Sequence, residues 1–422
     1  MSQGINGDPA YRIFLLLTAR SYRGEAFTQA AARLNIEVIP VVDMAAELAG
    51  YWRYPLGVDF GQPEAAVQAM VEYAARRPVN AVLAVDDSGV VLAAAAARRL
   101  GLPHNAPEAA QAARDKFLMR SAMAAGGAAC PTFRRFTFAQ DPAEVARQVS
   151  YPCVIKPLNL NGSRGVMRAD TPAELAAAVE RLARLLAQEP PGAIGDAYLV
   201  EDFIPGVEVA LEGIMDGGRL TVLALFDKPD PLDGPFFEET IYVTPSRLPE
   251  ETQRAIADCA ERAARAIGLQ MGPVHAELRV NEQGPWMLEV AGRSIGGLCG
   301  QTLRFDAGQS LEELILRQAV GLPLGSTRRA GRASGVMMIP IPEAGILTRV
   351  EGVEAARATP GVEEVTITAK LHYPLTPLPE GDSYLGFIFA RGETPAAVEE
   401  TLRAAHACLR FTVTPEFALY LG

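Results

Sequence analysis

The chain has 422 residues, enough for two to four domains of roughly 150 residues that each bury a core. Hydrophobic residues make up 49% and charged residues 21%, a balance that excludes a largely disordered chain. Lys and Arg number 39 against 50 Asp and Glu, so the net charge of −11 disfavours bulk binding of nucleic acid or anionic membrane but allows a local nucleotide pocket.

The first hundred residues alternate strand and helix. Strands are predicted at 13–17, 37–42 and 81–85, and helices at 25–34, 63–76 and 90–100. This rhythm implies a parallel sheet covered by helices. The turn Thr18-Ala19-Arg20-Ser21-Tyr22-Arg23-Gly24 lacks GxGxxG, so no dinucleotide site is expected there. A helix over 109–125 stops at Gly126-Gly127. Strands at 132–138 and 153–156, a Gly-containing loop over 158–165 and a helix over 172–187 follow. Segments 198–203, 207–215 and 220–226 have period-two character and predict an antiparallel sheet. A helix over 249–267 precedes strands 274–280 and 285–290, which face each other across Asn281-Glu282-Gln283-Gly284. A linker is expected at 325–332, where Arg328, Arg329 and Arg332 read as solvated. Beyond it, strands at 335–339, 362–368, 384–390 and 410–412 alternate with helices at 346–354 and 394–406, a small α+β module.

Cysteines at 130, 153, 259, 299 and 408 form no CxxC and suit a reducing compartment, so a cytoplasmic protein is expected. The early apolar run 13–17 is too short for a signal peptide, and no run is long enough to span a bilayer.

Two constellations carry chemistry. Gly292-Arg293-Ser294-Ile295-Gly296 satisfies the GxSxG pattern of a serine hydrolase, with His372 and His406 downstream. Ile-Gly-Gly after the serine is a poor helix start, and no oxyanion loop precedes it. The second is spread over some 180 residues. Lys156 closes a strand before the loop Asn159-Leu160-Asn161-Gly162-Ser163-Arg164-Gly165, whose small residues let backbone N–H groups approach a phosphate. A plain hairpin turn is the alternative. Glu201 and Glu208 flank an apolar stretch. His275, Glu277 and Arg279 share one face of a strand, with Glu289 on the partner strand. Two inward carboxylates repel unless a cation lies between them, and magnesium on nucleotide phosphates suits that place. Pairing of Glu277 and Glu289 with Arg279 and Arg293 is the alternative. Arg293 would reach the same cleft, where the Gly296-Gly297 backbone could donate to an oxyanion.

Lys116 in Arg114-Asp115-Lys116, Val154-Ile155-Lys156-Pro157, the loop through Gly165, Glu201…Glu208, His275-x-Glu277 and Glu289-x-x-x-Arg293 resemble the ATP-grasp superfamily in order and spacing. The superfamily includes D-alanine–D-alanine ligase, biotin carboxylase and the dipeptide-forming L-amino-acid ligases. The resemblance implies an ATP-grasp fold, α/β and α+β in class. Its parts would be an N-terminal parallel-sheet (pre-ATP-grasp) domain at 1–108, an ATP-grasp domain at 109–327 with a lid at about 130–204, and a small C-terminal α+β module at 328–422.

The resemblance also implies roles. Lys116 and Lys156 would hold ATP phosphates, under a loop containing Gly162, Ser163 and Gly165. Glu201 would take the adenine amino group beside the Phe203 backbone, and Glu208 the ribose hydroxyls. Glu277 and Glu289 would bind magnesium or manganese. Arg293, with the Gly296 and Gly297 amides, would stabilise the reacting group, and His275, Lys228 and Glu238 would lie on the substrate side. Ala291, where many members have asparagine, and the following Ile295-Gly296-Gly297 look more like the L-amino-acid ligase branch. So does the segment from Asp227-Lys228-Pro229 through Glu238-Glu239-Thr240.

The implied activity is ATP-dependent carboxylate–amine ligation through an acyl phosphate, releasing ADP and joining amino acids or an amino acid and a related small acid. The implied partners are small carboxylates and amines, with neither nucleic acid nor membrane, and a homodimer is left open. Two alternatives remain: a biotin-carboxylase-like enzyme, although no Met-Lys-Met site occurs, and a non-catalytic nucleotide-binding regulator.

Overall fold

The computed structural model describes residues 9–415 except 20, 22 and 190–194. The ends of the predicted outer domains and Arg20 and Tyr22 of the first turn therefore lie outside the described residues.

The N-terminal part runs β1 (Tyr11–Thr18), α1 (Gly24–Arg33), β2 (Ile36–Asp43), α2 (Ala46–Tyr51), β3 (Leu56–Val58), α3 (Pro63–Arg76), β4 (Ala81–Ala84) and α4 (Asp87–Leu100). Its strands pair in parallel in the order β3-β2-β1-β4. Both faces are covered, so Ile13, Phe14, Leu15 and Leu16 are all buried rather than every second residue. α2 and β3 are not among the predicted elements.

The helix predicted over 109–125 is two helices, α5 (Pro107–Arg114) and α6 (Lys116–Ala125). Asp115 breaks it with extended backbone, φ −93° and ψ 114°, and its carboxylate accepts from the N–H groups of Phe117 and Leu118. Restarting the helix there brings Lys116 against the phosphate-loop region: its N–H donates to the Leu158 carbonyl and its Nζ to the Leu160 carbonyl at 2.7 Å.

β5 (Phe133–Thr137), α7 (Pro142–Ala146), β6 (Cys153–Pro157), β7 (Met167–Ala169), α8 (Pro172–Leu186) and β8 (Ala197–Asp202) form the next layer. Its antiparallel sheet has the order β5-β8-β6-β7. α8 covers it with the buried stripe Leu175, Ala178, Val179, Leu182 and Leu185. β8 thus belongs here and not with the strands that follow, as the sequence pattern implied. Alternation marks a strand but not its partner.

The remainder is β9 (Val207–Asp216), β10 (Arg219–Lys228), β11 (Ile241–Thr244), α9 (Glu250–Ala266), β12 (Gly272–Asn281), β13 (Gly284–Ala291), α10 (Leu311–Ala319), β14 (Ala333–Ile339), β15 (Gly345–Glu351), α11 (Val353–Arg357), β16 (Val362–Ile367), β17 (Pro374–Leu375), β18 (Gly386–Gly392), α12 (Pro395–Ala407) and β19 (Arg410–Thr414). An eight-stranded antiparallel sheet, β13-β12-β9-β10-β11-β14-β18-β16, forms the centre. It crosses the predicted linker without a gap, since β11 pairs β14 from Ile241↔Met337 to Thr244↔Ser334. α9 packs on one face, and α10 with the N-terminal part packs on the other. The helix predicted over 346–354 is instead strand β15 followed by the short α11. Gly352, at φ 81°, turns the chain between them, where L side chains are strained. β11 and α10 are also not among the predicted elements, although Ser310 and Glu313 form a capping box at the start of α10. Among the described residues, no helix is long and apolar enough to cross a membrane.

Candidate active site

A cleft of about 450 Å³ lies where the N-terminal part, the β5-β8-β6-β7 layer and the central sheet meet. Its floor is β12 and β13. The short turn sets the register as far as Leu278 opposite Met287, and a bulge at Leu288 then shifts it by one, so Glu277 stands opposite Glu289 and His275 opposite Ala291. Both carboxylates line the cleft. Glu289 is met by Lys116 Nζ at 3.7 Å, and Glu277 by Lys228 Nζ at 3.5 Å and His275 Nε2 at 3.2 Å. Neither takes the arginine pairing left open by the sequence. Arg279 goes to Glu208 at 3.0 Å and Arg293 to Asp87 at 2.8 Å.

Beneath Glu277, Lys228 Nζ bonds Glu239 and sits 2.9 Å from Glu208. Oxygens of Glu208, Glu239 and Glu277 all lie within 4.8 Å of one another, a spacing that could hold a metal. The buried ammonium already supplies that positive charge. Burial works against it, but the three carboxylates outweigh burial and hold its pKa well above the ordinary lysine value. Lys228 therefore supports the site from below and does not line the cleft.

His275 lines the cleft, yet both ring nitrogens are engaged: Nδ1 lies 2.5 Å from Glu212 and Nε2 3.2 Å from Glu277. Burial favours the neutral ring, but Glu212 and Glu277 outweigh it and raise the pKa to about 9. The residue is an imidazolium at neutral pH and orients Glu277.

At the other end, Lys156 Nζ is 2.8 Å from Glu201, and Arg120 Nε is 2.7 Å from the same carboxylate. Burial opposes its charge, but Arg120 and Lys156 hold its pKa below the usual carboxylate value. Glu201 is thus occupied by two cations, where the resemblance implied an adenine contact. Phe203 lines the cleft with Arg168 4.2 Å and Arg279 4.8 Å from its ring centre. Glu208, also lining, is shared between Lys228 and Arg279.

Gly162 and Ser163 line the cleft in left-handed conformation, φ 61° and 56°. Gly165 does not line it. Its N–H donates to the Pro379 carbonyl at 2.8 Å, and a Cβ there would come 2.9 Å from Leu182. Arg164 Nε donates to the Glu380 carbonyl, and Arg181 pairs with the Glu380 carboxylate at 2.6 Å, so the C-terminal part grips this loop.

Arg293, Gly296 and Gly297 line the cleft together. Glu238, expected on the substrate side, does not line it; its neighbour Glu239 does. Ser294 is buried, its hydroxyl accepts from Arg23 at 2.5 Å, and no α-helix follows it. A strand–turn–helix elbow is therefore absent, and the serine-hydrolase geometry with it.

Arg23, Asp86 and Asp87, all lining the cleft, escaped the sequence reading. They lie beyond the carboxyl ends of β1 and β4, where parallel sheets place ligands, and that rule was the available signal.

Comparison with known proteins agrees with this fold. The family pattern described as "ATP-grasp domain" matches residues 149–302, "L-amino acid ligase C-terminal domain 2" matches 337–414, and "ATP-grasp N-terminal domain" matches 28–104. The alanine–anticapsin ligase of Bacillus subtilis is 28% identical over 285 residues, 63% of this chain and 59% of that protein. A D-alanine–D-alanine ligase of Gloeobacter violaceus is 31% identical over 241 residues, 52% of this chain and 72% of that protein. The crystal structure of an L-amino acid ligase from Bacillus licheniformis superposes with a TM-score of 0.81 at 26% identity, covering 97% of this chain and 100% of that one. The chain spans less than two thirds of the first curated relatives it matches, 65% and 59% of their lengths.

Proposed function

The chain belongs to the ATP-grasp family, and on that premise we propose that it is an ADP-forming carboxylate–amine ligase that joins amino acids. The observation that carries this reading is Glu277 opposite Glu289 on a cleft floor reached by Lys116, with Lys156 and Arg293 on the walls.

The donor set fits a divalent cation. Two carboxylates supply hard oxygen ligands with no thiolate beside them, and Glu289 has only the distant Lys116 to oppose its charge among the described residues. Glu277 and Glu289 would hold a divalent cation, which we take to be magnesium, and it would supply charge neutralisation for the phosphates. Lys116 and Lys156 bind the phosphates, and the 159–165 loop covers them and excludes water. The γ-phosphoryl group passes to the substrate carboxylate, giving an acyl phosphate and ADP. The amine then attacks the carbonyl carbon, phosphate leaves, and the nitrogen loses a proton to complete the amide. Arg293 and the Gly296 and Gly297 amides face the oxygen that gains charge in that step. The five free cysteines suit a reducing cytoplasm.

The test is a screen of amino-acid pairs for magnesium-dependent ADP release, with product masses. A product equal to the two substrates less one water supports the reading. ADP release without amide, or none on any pair, refutes it.

A further inference from the structure

Three arginines line the cleft, and one of them has no carboxylate. Arg279 has Glu208 at 3.0 Å and Arg293 has Asp87 at 2.8 Å. Arg23 donates to the Val85 carbonyl at 2.5 Å and to the Ser294 hydroxyl at 2.5 Å, both neutral acceptors. Among the described residues no carboxylate oxygen comes within the 4.0 Å that defines an ion pair with it. A guanidinium held out of water with no carboxylate in ion-pair contact is electrostatically incomplete. Burial and the neighbouring Arg293 both depress its pKa, which is the same incompleteness in another form.

The missing anion is not the nucleotide's phosphate, because Lys116 and Lys156 stand at that end. The charged groups around Arg23 are Arg293, Asp86, Glu312 and Glu212. Asp86 lines the same part of the cleft, and its Oδ2 is buried without a hydrogen-bond partner among the described residues. A cation lacking an anion beside an acceptor lacking a donor is the complement of a molecule with both a carboxylate and an amine. That molecule is a free α-amino acid.

Resting on the ligase reading, we propose that Arg23 binds the α-carboxylate of the amine-bearing substrate, with that substrate's nitrogen beside Asp86. The amine partner is then a free amino acid, and the product keeps its carboxylate as a dipeptide acid. Arg23 also ties the acceptor site to Ser294, the residue after Arg293, so the carboxylate anchor and the reacting centre share one support.

The experiment compares the common amino acids with their carboxamides, which keep the amine and side chain but lose the charge. Calorimetric binding to the full chain with magnesium and a non-hydrolysable ATP analogue reads affinity, and KM at saturating ATP reads turnover. The wild type is expected to bind at least one amino acid about 10-fold or more tighter than its carboxamide. Arg23→Gln should abolish that preference with unchanged affinity for the ATP analogue, and Arg23→Lys should restore part of it. Wild type that binds every acid and carboxamide alike overturns the proposal, and does so even where neither variant folds. So does Arg23→Gln that retains the preference. Discrimination in binding without any amide product would instead sink the ligase reading and leave the anion site standing.

Discussion

Asp87 holds Arg293 across 206 residues of sequence, its Oδ2 lying 2.8 Å from both Nε and Nη2 of the guanidinium. Asp87 is the first residue of α4, so the N-terminal part aims the arginine assigned to the reacting group. Asp87→Asn should leave ATP binding intact and lower kcat about 10–100-fold, the range of one charge-assisted hydrogen bond. Arg293→Ala should also keep ATP binding and lose ligation. Separate kcat and KM values check both, and an unchanged amide yield in Arg293→Ala would refute its role.

Glu289→Gln should remove most ADP formation, by about 100-fold or more, with the thermal midpoint nearly unchanged. Among the described residues its side chain has only Lys116, at 3.7 Å, as an ion-pair partner, so little native structure depends on its charge. Glu277→Gln should cost stability as well as activity, because Lys228 and His275 both lean on that carboxylate. ADP assays beside melting curves separate the two, and wild-type turnover in Glu289→Gln would end the metal assignment.

Glu201 is 2% exposed and Arg120 is fully buried. Glu201→Gln therefore strands a buried guanidinium, and the expected loss is about 3–5 kcal/mol by urea unfolding. The folded-state pKa of Glu201 is depressed, so its contribution is present above the unfolded carboxylate pKa and is lost as pH falls through the folded value. The variant should accordingly show a flatter decline of stability on the acid side.

Glu380→Ala removes the grip on Arg181, a pair about one-third exposed on both sides. The stability change should be at most about 1 kcal/mol. KM for ATP should rise, because the Arg181 pair tethers the segment whose Pro379 and Glu380 carbonyls hold Gly165 and Arg164, and cleavage of the 159–165 loop by a dilute protease should speed up. An unchanged KM would mean that the loop closes without this contact.

The βα rhythm of the first hundred residues and the Glu277–Glu289 pairing were legible because both are local. One follows from apolar periodicity, the other from two strands joined by a short turn, although the bulge at Leu288 that sets Glu277 against Glu289 is beyond what alternation alone gives. Failures arose where a distant partner decides. β8 is a buried run like the interiors of β9 and β10 but pairs with β5 and β6. Segment 346–354 has residues tolerable in a helix, yet β19 pairs with most of it as a strand. The break at Asp115 has the residue type of an N-cap but lies within an Ala-rich run whose helical periodicity masks it. Arg23 and Asp87 had no local signal beyond their position after a parallel strand, since what defines them is contact with Ser294 and Arg293 more than 200 residues away.

The seam between β11 and β14 gives the chain an unusual vulnerability to cutting. Only four residue pairs join these strands, yet they lie in the middle of the eight-stranded sheet. A nick in the 325–332 segment would leave the two pieces joined by that seam and by side-chain contacts such as Arg247–Glu399 and Arg403–Asp230. Once parted, each fragment would carry a raw strand edge with free N–H and C=O groups, the template on which foreign strands assemble. Two co-expressed halves divided there should therefore either reassemble into one particle or precipitate, and a quiet, soluble C-terminal fragment is not expected.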